Sequence, residues 1–123
     1  MIELRDVHKK FGRHVVLDGV NFSVEKGETV ALLGPSGTGK SVLLKHIIGL
    51  IKPDSGEVLV DGVSVPNLGR KQLSKLRQKI GYAFQNGALF DSMSVYENIR
   101  LGISDESCYR DRGFCDSRVV ECL

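Results

Sequence analysis

The sequence predicts an α/β fold organised around one phosphate-binding loop, and three adjoining stretches carry that expectation. Gly34-Pro35-Ser36-Gly37-Thr38-Gly39-Lys40-Ser41 fits the pattern G-x-x-x-x-G-K-[ST]. Upstream, Thr29-Val30-Ala31-Leu32-Leu33 is the short apolar run expected of a buried parallel strand. Downstream, Val42–Ile48 has helical periodicity, and Gly49 is placed to end the helix. Strand, glycine-rich loop and helix therefore follow in the order that phosphate binding needs.

The residue types explain the chemistry. Gly34, Gly37 and Gly39 lack the Cβ that disfavours positive φ, so the backbone can curl around an anion. Successive N–H groups in such a curl converge on phosphate oxygens. The helix that follows adds orphan N–H groups and a partial positive charge. Lys40 can reach β- and γ-phosphates, and the Ser41 hydroxyl can ligate Mg²⁺. A glycine turn beside a buried lysine is the plainer alternative, and both flanking elements argue against it.

The 123 residues suit one domain, and 41% hydrophobic with 26% charged residues is ordinary globular composition. The longest apolar stretch, Val42 to Ile51, is interrupted by Lys45 and His46, so no membrane-spanning helix is expected. Met1 leads straight into the alternating Ile2-Glu3-Leu4-Arg5, which does not read as a signal peptide. A net charge of +2 gives no global basic surface for nucleic acid. Cys108, Cys115 and Cys122 recur every seven residues and would share a helix face, but Gly113 is expected to interrupt that helix. The odd count argues against a disulfide framework, and the spacing suits small reduced thiols better than a metal site.

Residues 2–7 alternate as a strand, and Lys9–Arg13 reads as a turn hinged at Gly12. Phe11 in that turn is either a platform for an adenine ring or a hydrophobic anchor. Val15–Leu17 and Val20–Val24 read as one interrupted strand or two short ones. Asp61-Gly62 between valine-rich runs signals a hairpin. A helix is expected over 70–79, with Leu73, Leu76 and Ile80 on one face. Its basic face, with Arg70, Lys71, Lys75, Arg77 and Lys79, suits a solvated surface more than a membrane contact. Ile80–Phe84 is a second short apolar run ending at Gln85. Strand carboxyl ends are where open α/β sheets bind ligands, so Gln85 can ligate Mg²⁺ or orient a water there. Leu89 and Phe90 are expected to be exposed. Ser94-Val95-Tyr96-Glu97 is a capping box that starts another helix.

With Phe11, the phosphate loop and Gln85 in place, residues 1 to about 102 resemble the ATP-binding subunits of ABC transporters. The segments "IELRDVHKKFG", "VLDGVNFSVEKGETVALLGPSGTGKS", "PDSGEVLVDG" and "FQNGALFDSMSVYENI" occur in that family's order. The resemblance implies a P-loop NTPase fold of the ABC type: the first half of the core subdomain (1–102, with the antiparallel β subdomain) and the start of a helical subdomain (103–123). It implies ATP and Mg²⁺ as cofactors, Phe11 as the adenine-stacking aromatic, and Gly34–Ser41 as the Walker A loop. Gln85 would be the Q-loop glutamine that touches Mg²⁺ and the attacking water. Implied partners are a second ATP-binding subunit packed head to tail and a transmembrane permease facing Gln85–Tyr96. That places the chain on the cytoplasmic face of the membrane. "GKSVLLKHIIGL" and "FQNGALFDSMSVYENI" are similar to the branch serving phospholipid and organic-solvent-resistance systems. The family's LSGGQ-type signature, Walker B strand and switch histidine do not occur in residues 1–123, so the chain is expected to be an amino-terminal portion, inactive alone. A non-hydrolysing nucleotide-binding module and an importer subunit for another substrate are the alternatives. A P-loop small-molecule kinase is disfavoured by "SGEVLVDG" and by Gln85.

Overall fold

Ile2–Phe11 (β1) and His14–Val24 (β2) form a long antiparallel hairpin in the computed structural model, with pairs running from Ile2↔Val24 to Phe11↔His14. The structure describes residues 1–84, 87, 89–102 and 112–121. They divide into two units, Met1–Ile80 and Gly81–Leu123.

In the first unit, Ser55–Val60 (β3) pairs with the other edge of β1, and Val63–Ser64 (β4) completes a sheet ordered β2-β1-β3-β4. The β3–β4 turn is the expected Asp61-Gly62. Both residues have positive φ (49° and 75°), as a tight two-residue hairpin turn requires. The amino terminus closes this corner, with Met1 N donating to Asp61 Oδ1 at 2.9 Å. Midway along β1 the register slips against both neighbours, and Asp6 itself sits at φ 49°. The slip brings Gly56 so close that a Cβ there would stand 2.2 Å from the Asp6 carbonyl oxygen.

Lys40–Ile47 (α1) lays Leu43 and Ile47 against Leu4, Val7, Leu17, Val58 and Val60 of the sheet, and these residues are the core. Gly49 ends α1 as expected. It adopts φ +65°, its N–H donates to His46 O, and Leu50 N–H donates to Lys45 O. This crossed pair of bonds satisfies carbonyls that the helix end would leave orphaned. A short 3₁₀ turn, Val65–Asn67, leads to Arg70–Arg77 (α2), whose Gln72 side chain accepts from Gly69 N–H at its start. From the last turn of α2 the Arg77 guanidinium donates to Ile48 O and Gly49 O at 3.0 and 2.9 Å. A cation is thereby set against the negative end of α1. Arg77 thus belongs to a tertiary contact rather than to a wholly solvated basic face.

Several expectations are corrected. Thr29–Leu33 joins no sheet among the described residues; Leu33 is 91% exposed, while Leu32 packs on the core. A strand needs a partner for its ladder bonds. The antiparallel sheet joins two hairpins through the longer-range β1–β3 pairing, and no described segment lies alongside Thr29–Leu33 as a parallel partner. Ile80–Phe84 is likewise not a strand; its Tyr82 and Phe84 rings meet edge to face, centroids 4.6 Å apart. Lys9, Lys10 and Phe11 belong to β1, so the turn is confined to Gly12-Arg13. α2 ends at Arg77, short of the expected 79, whereas β2 follows the one-interrupted-strand alternative.

In the second unit, Val95–Gly102 (α3) begins with the expected capping box. Ser94 N–H donates to Glu97 Oε2 at 2.8 Å, and Glu97 N–H donates to Ser94 Oγ at 3.3 Å. Asn98 ties the preceding loop to this helix: its Oδ1 accepts from Phe90 N–H, and its Nδ2 donates to the carbonyls of Phe90, Met93 and Ser94. Leu89 and Phe90 are 70% and 56% exposed, as expected. Arg112–Glu121 (α4) contacts α3, and the Tyr96 hydroxyl donates to Asp116. Gly113 does not interrupt a helix; it lies in the first turn of α4, which also carries Cys115. Cys108 and Cys122 fall outside the described residues.

Gly56 and Gly62 offer an internal comparison, because both have positive φ (88° and 75°) but a Cβ on Gly62 meets nothing within 4 Å. Gly62→Ala is expected to cost only the left-handed backbone penalty, about 1–2 kcal/mol. Gly56→Ala adds an overpacking penalty against backbone and is expected to cost about 3 kcal/mol or more. Denaturant unfolding of the two variants measures the difference, and equal losses would contradict the bulge geometry.

Candidate functional site

The phosphate loop is built from glycines whose conformations other residues rarely adopt. Gly34, Gly37 and Gly39 have φ of 153°, 84° and 90°. The turn folds back far enough for the Lys40 ammonium to donate to Gly34 O and Pro35 O, both at 2.6 Å, and to Thr38 Oγ1 at 3.3 Å. Thr38 Oγ1 in turn donates to Pro35 O at 2.9 Å, closing the curl. Lys40 is half-buried, whereas Pro35, Ser36, Gly37, Thr38 and Ser41 are exposed. Ser41 lies in the first turn of α1, directly after the curl, where its hydroxyl can serve a cation held by phosphate.

Gly39 connects this loop to the sheet. It is buried, and a Cβ on it would stand 2.9 Å from the Val16 carbonyl oxygen and 3.1 Å from Leu17 Cδ2. The β1–β2 ladder pairs Leu17 with Lys9, Val15 with Lys10 and His14 with Phe11. The turn end of the hairpin is therefore fixed beside the loop, and with it Phe11, which is 48% exposed. An aromatic surface and a phosphate curl are thus presented by one unit. Gln85 lies outside the described residues.

Sequence reasoning missed the residues that tie these parts together. Asp54 makes three bonds to β1. Its N–H donates to His8 O at 2.9 Å, its Oδ2 accepts from Lys10 N–H at 2.8 Å, and its Oδ1 accepts from Lys9 Nζ at 2.8 Å. Lys9 Nζ in turn stands 5.6 Å from the centre of the Phe11 ring. The Pro-Asp-Ser-Gly composition hinted only at a turn, since a carboxylate that caps a strand 44 residues away leaves no local pattern.

A glycine-walled curl at the head of a helix, seated on a hairpin that ends in an aromatic, defines a phosphate-loop nucleotide-binding fold. The chain belongs to the ABC transporter family, whose model matches residues 17–120. Among curated relatives it is 50% identical over 108 residues to the Arabidopsis thaliana chloroplastic protein TRIGALACTOSYLDIACYLGLYCEROL 3, a match covering 87% of this chain and 31% of that one. It is 39% identical over 107 residues to the Escherichia coli intermembrane phospholipid transport system ATP-binding protein MlaF, covering 87% and 40%. It is 47% identical over 102 residues to the sulfate/thiosulfate import ATP-binding protein CysA of Bradyrhizobium diazoefficiens, covering 83% and 28%. The chain thus spans well under half the length of these relatives. Among solved structures it resembles the dimeric post-hydrolysis ATP-binding cassette MJ0796 bound to ADP and Pi, with a TM-score of 0.84 and 33% identity over 99% of this chain and 55% of that one. The family and its nucleotide-binding fold are those expected from the sequence.

The Asp54 cluster is expected to make the fold's stability depend on pH in acid. The hydrogen bond from Lys9, and then that from the Lys10 N–H, holds the Asp54 carboxyl below the usual carboxylate range. A carboxyl whose pKa is depressed by folding contributes stability above its unfolded value, about 3.9, and loses it as pH falls through the folded value. Denaturation midpoints of the parent and of Asp54→Asn are therefore expected to differ by a constant amount from about pH 5 to 8 and to converge in stronger acid. Parallel curves down to about pH 2 would contradict this assignment.

Proposed function

We propose that the chain supplies the ATP-holding part of a transporter's motor subunit, with Phe11 stacking on adenine and residues Gly34–Ser41 holding the phosphates. The observation that carries this reading is the position of Lys40, whose ammonium is collected at the mouth of the curl by two carbonyls of its own loop. Those carbonyl bonds keep the cation where phosphate oxygens arrive and can be exchanged for stronger charge-assisted bonds to them. The half-buried setting makes such bonds less screened than at a free surface.

The donor chemistry near the loop fits Mg²⁺. Mg²⁺ prefers hard oxygen ligands and usually takes only one or two from protein, the rest from phosphates and water. Ser41 offers a hydroxyl, and the family resemblance implies Gln85 as a further oxygen ligand. When bound, Mg²⁺ neutralises charge on the transferring phosphoryl group. This chain's own part is to hold and orient the triphosphate through Lys40, the loop backbone and Phe11. In this reading hydrolysis needs a second subunit packed head to tail, with the water-activating carboxylate and signature loop drawn from sequence outside residues 1–123. The same sequence would carry the strand that pairs with Thr29–Leu33.

The exposed Leu89 and Phe90, on a loop that Asn98 holds to α3, support a permease contact over Gln85–Tyr96. In this reading attachment is peripheral, through that permease on the cytoplasmic face; no helix among the described residues is long and apolar enough to cross a membrane. We assign the cargo to lipids. The support is "GKSVLLKHIIGL" and "FQNGALFDSMSVYENI" together with the phospholipid transport named for the relative MlaF. The sulfate/thiosulfate import named for CysA, at 47% identity, is the alternative.

Each charge-assisted bond from Lys40 to phosphate is worth roughly 1.5–3 kcal/mol. Lys40→Ala is therefore expected to weaken Mg-ATP binding by about tenfold or more, measured by titration calorimetry. Mg-ATP at about one hundred times the parent's dissociation constant should raise the parent's melting temperature, and raise that of Lys40→Ala by about half as much or less. Phosphate release by residues 1–123 is expected to stay at the Lys40→Ala background. Unchanged affinity in the variant would remove the loop from the mechanism. Sustained release by the parent would contradict the placement of the water-activating groups elsewhere.

A further inference from the structure

We propose that Lys9, pinned by Asp54, is a positioning residue for the nucleotide base, acting through the Phe11 ring. The inference rests on the reading that Phe11 stacks on adenine. Its starting point is a lysine in an unusual setting: the Lys9 side chain is only 15% exposed, although lysines are mostly solvated. Its ammonium is fixed at 2.8 Å from Asp54 Oδ1, which removes the rotamer freedom that weakens ordinary surface pairs. Asp54 is itself immobilised by its two backbone bonds to β1, at His8 O and Lys10 N–H.

A fixed cation 5.6 Å from an aromatic centroid lies within cation–π range. The ring is 48% exposed and close to the strand end, where an unheld side chain would sample several rotamers. Holding it in one of them lowers the ordering cost of stacking, because each immobilised side chain otherwise costs binding energy. The arrangement also links two parts of the site by a second route. Asp54 follows the carboxyl end of α1, whose amino end carries the phosphate loop, and Lys9 pairs with Leu17, which packs on Gly39.

The test separates base from phosphate. Lys9→Met keeps an apolar stem of similar length and removes the cation. It is expected to raise the dissociation constant for Mg-ATP about two- to fivefold, the range of an exposed cation–π contact. It should leave that for inorganic tripolyphosphate, which has no base to stack, within twofold. Asp54→Asn, which frees the ammonium but retains an acceptor for Lys10 N–H, should show the same selective loss; Lys9→Arg should retain parental affinity. In a Phe11→Ala background, Lys9→Met should have no further effect on ATP. Equal losses for ATP and tripolyphosphate, or an undiminished loss without the ring, would overturn the proposal by making Lys9 a phosphate-steering charge or a general structural contact. If Phe11→Ala weakens ATP while Lys9→Met and Asp54→Asn do not, the positioning role alone is lost. If Phe11→Ala leaves ATP affinity unchanged, the stacking reading itself fails, and the proposal with it.

Discussion

The approach of Gly39 to the Val16 carbonyl is the constraint on which the rest of the first unit depends. A Cβ at Gly39 would lie 2.9 Å from that oxygen, so the position accepts only glycine without rearrangement. Its left-handed φ turns the loop into α1 at the same point. One residue thus sets the curl, starts the helix and fixes the distance between the helix and β2. The hydrophobic contacts of Leu43 and Ile47 with Leu4, Val7, Leu17 and Val58 hold that arrangement. Because β2 continues into the hairpin turn, Phe11 is placed relative to the phosphate loop by backbone pairing rather than by a flexible segment.

Much of this was legible in the sequence where the cause is local. The phosphate-loop glycines, the Asp61-Gly62 turn, the Gly49 stop and the Ser94–Glu97 capping box all express backbone requirements within a few residues. What could not be read are the partners that the fold brings from far away. Arg77 donates to carbonyls at the end of α1, 28 and 29 residues earlier, and Asp54 holds Lys9 from 45 residues on. Neither leaves a periodic signal, and both belong to stretches whose charges suggest a solvated surface. The site was therefore readable as a phosphate loop with a candidate aromatic, but not as a joined structure.

Thr29–Leu33 shows the opposite error. Its apolar run satisfies every local criterion for a buried strand, yet it pairs with nothing among the described residues. Strand propensity reports a fit to a pleated, half-buried surface, and it becomes structure only when a neighbour supplies ladder bonds. The antiparallel hairpins find that neighbour a few residues away. A parallel strand depends on a segment reached through a long crossover, so its formation is a property of the whole sheet. Leu33, at the entrance to the phosphate loop, is accordingly 91% exposed.

In the proposed reading, base and phosphates are held by one unit, joined at Gly39 and Val16. Nuclear magnetic resonance of the chain during titration with Mg-ADP tests it most directly, by following the Gly39 and Lys40 amides together with the Phe11 ring. All three are expected to shift along a single binding curve with one dissociation constant, the ring showing the displacement caused by a stacked purine. Saturation of the amides with an unmoved Phe11 ring would contradict it.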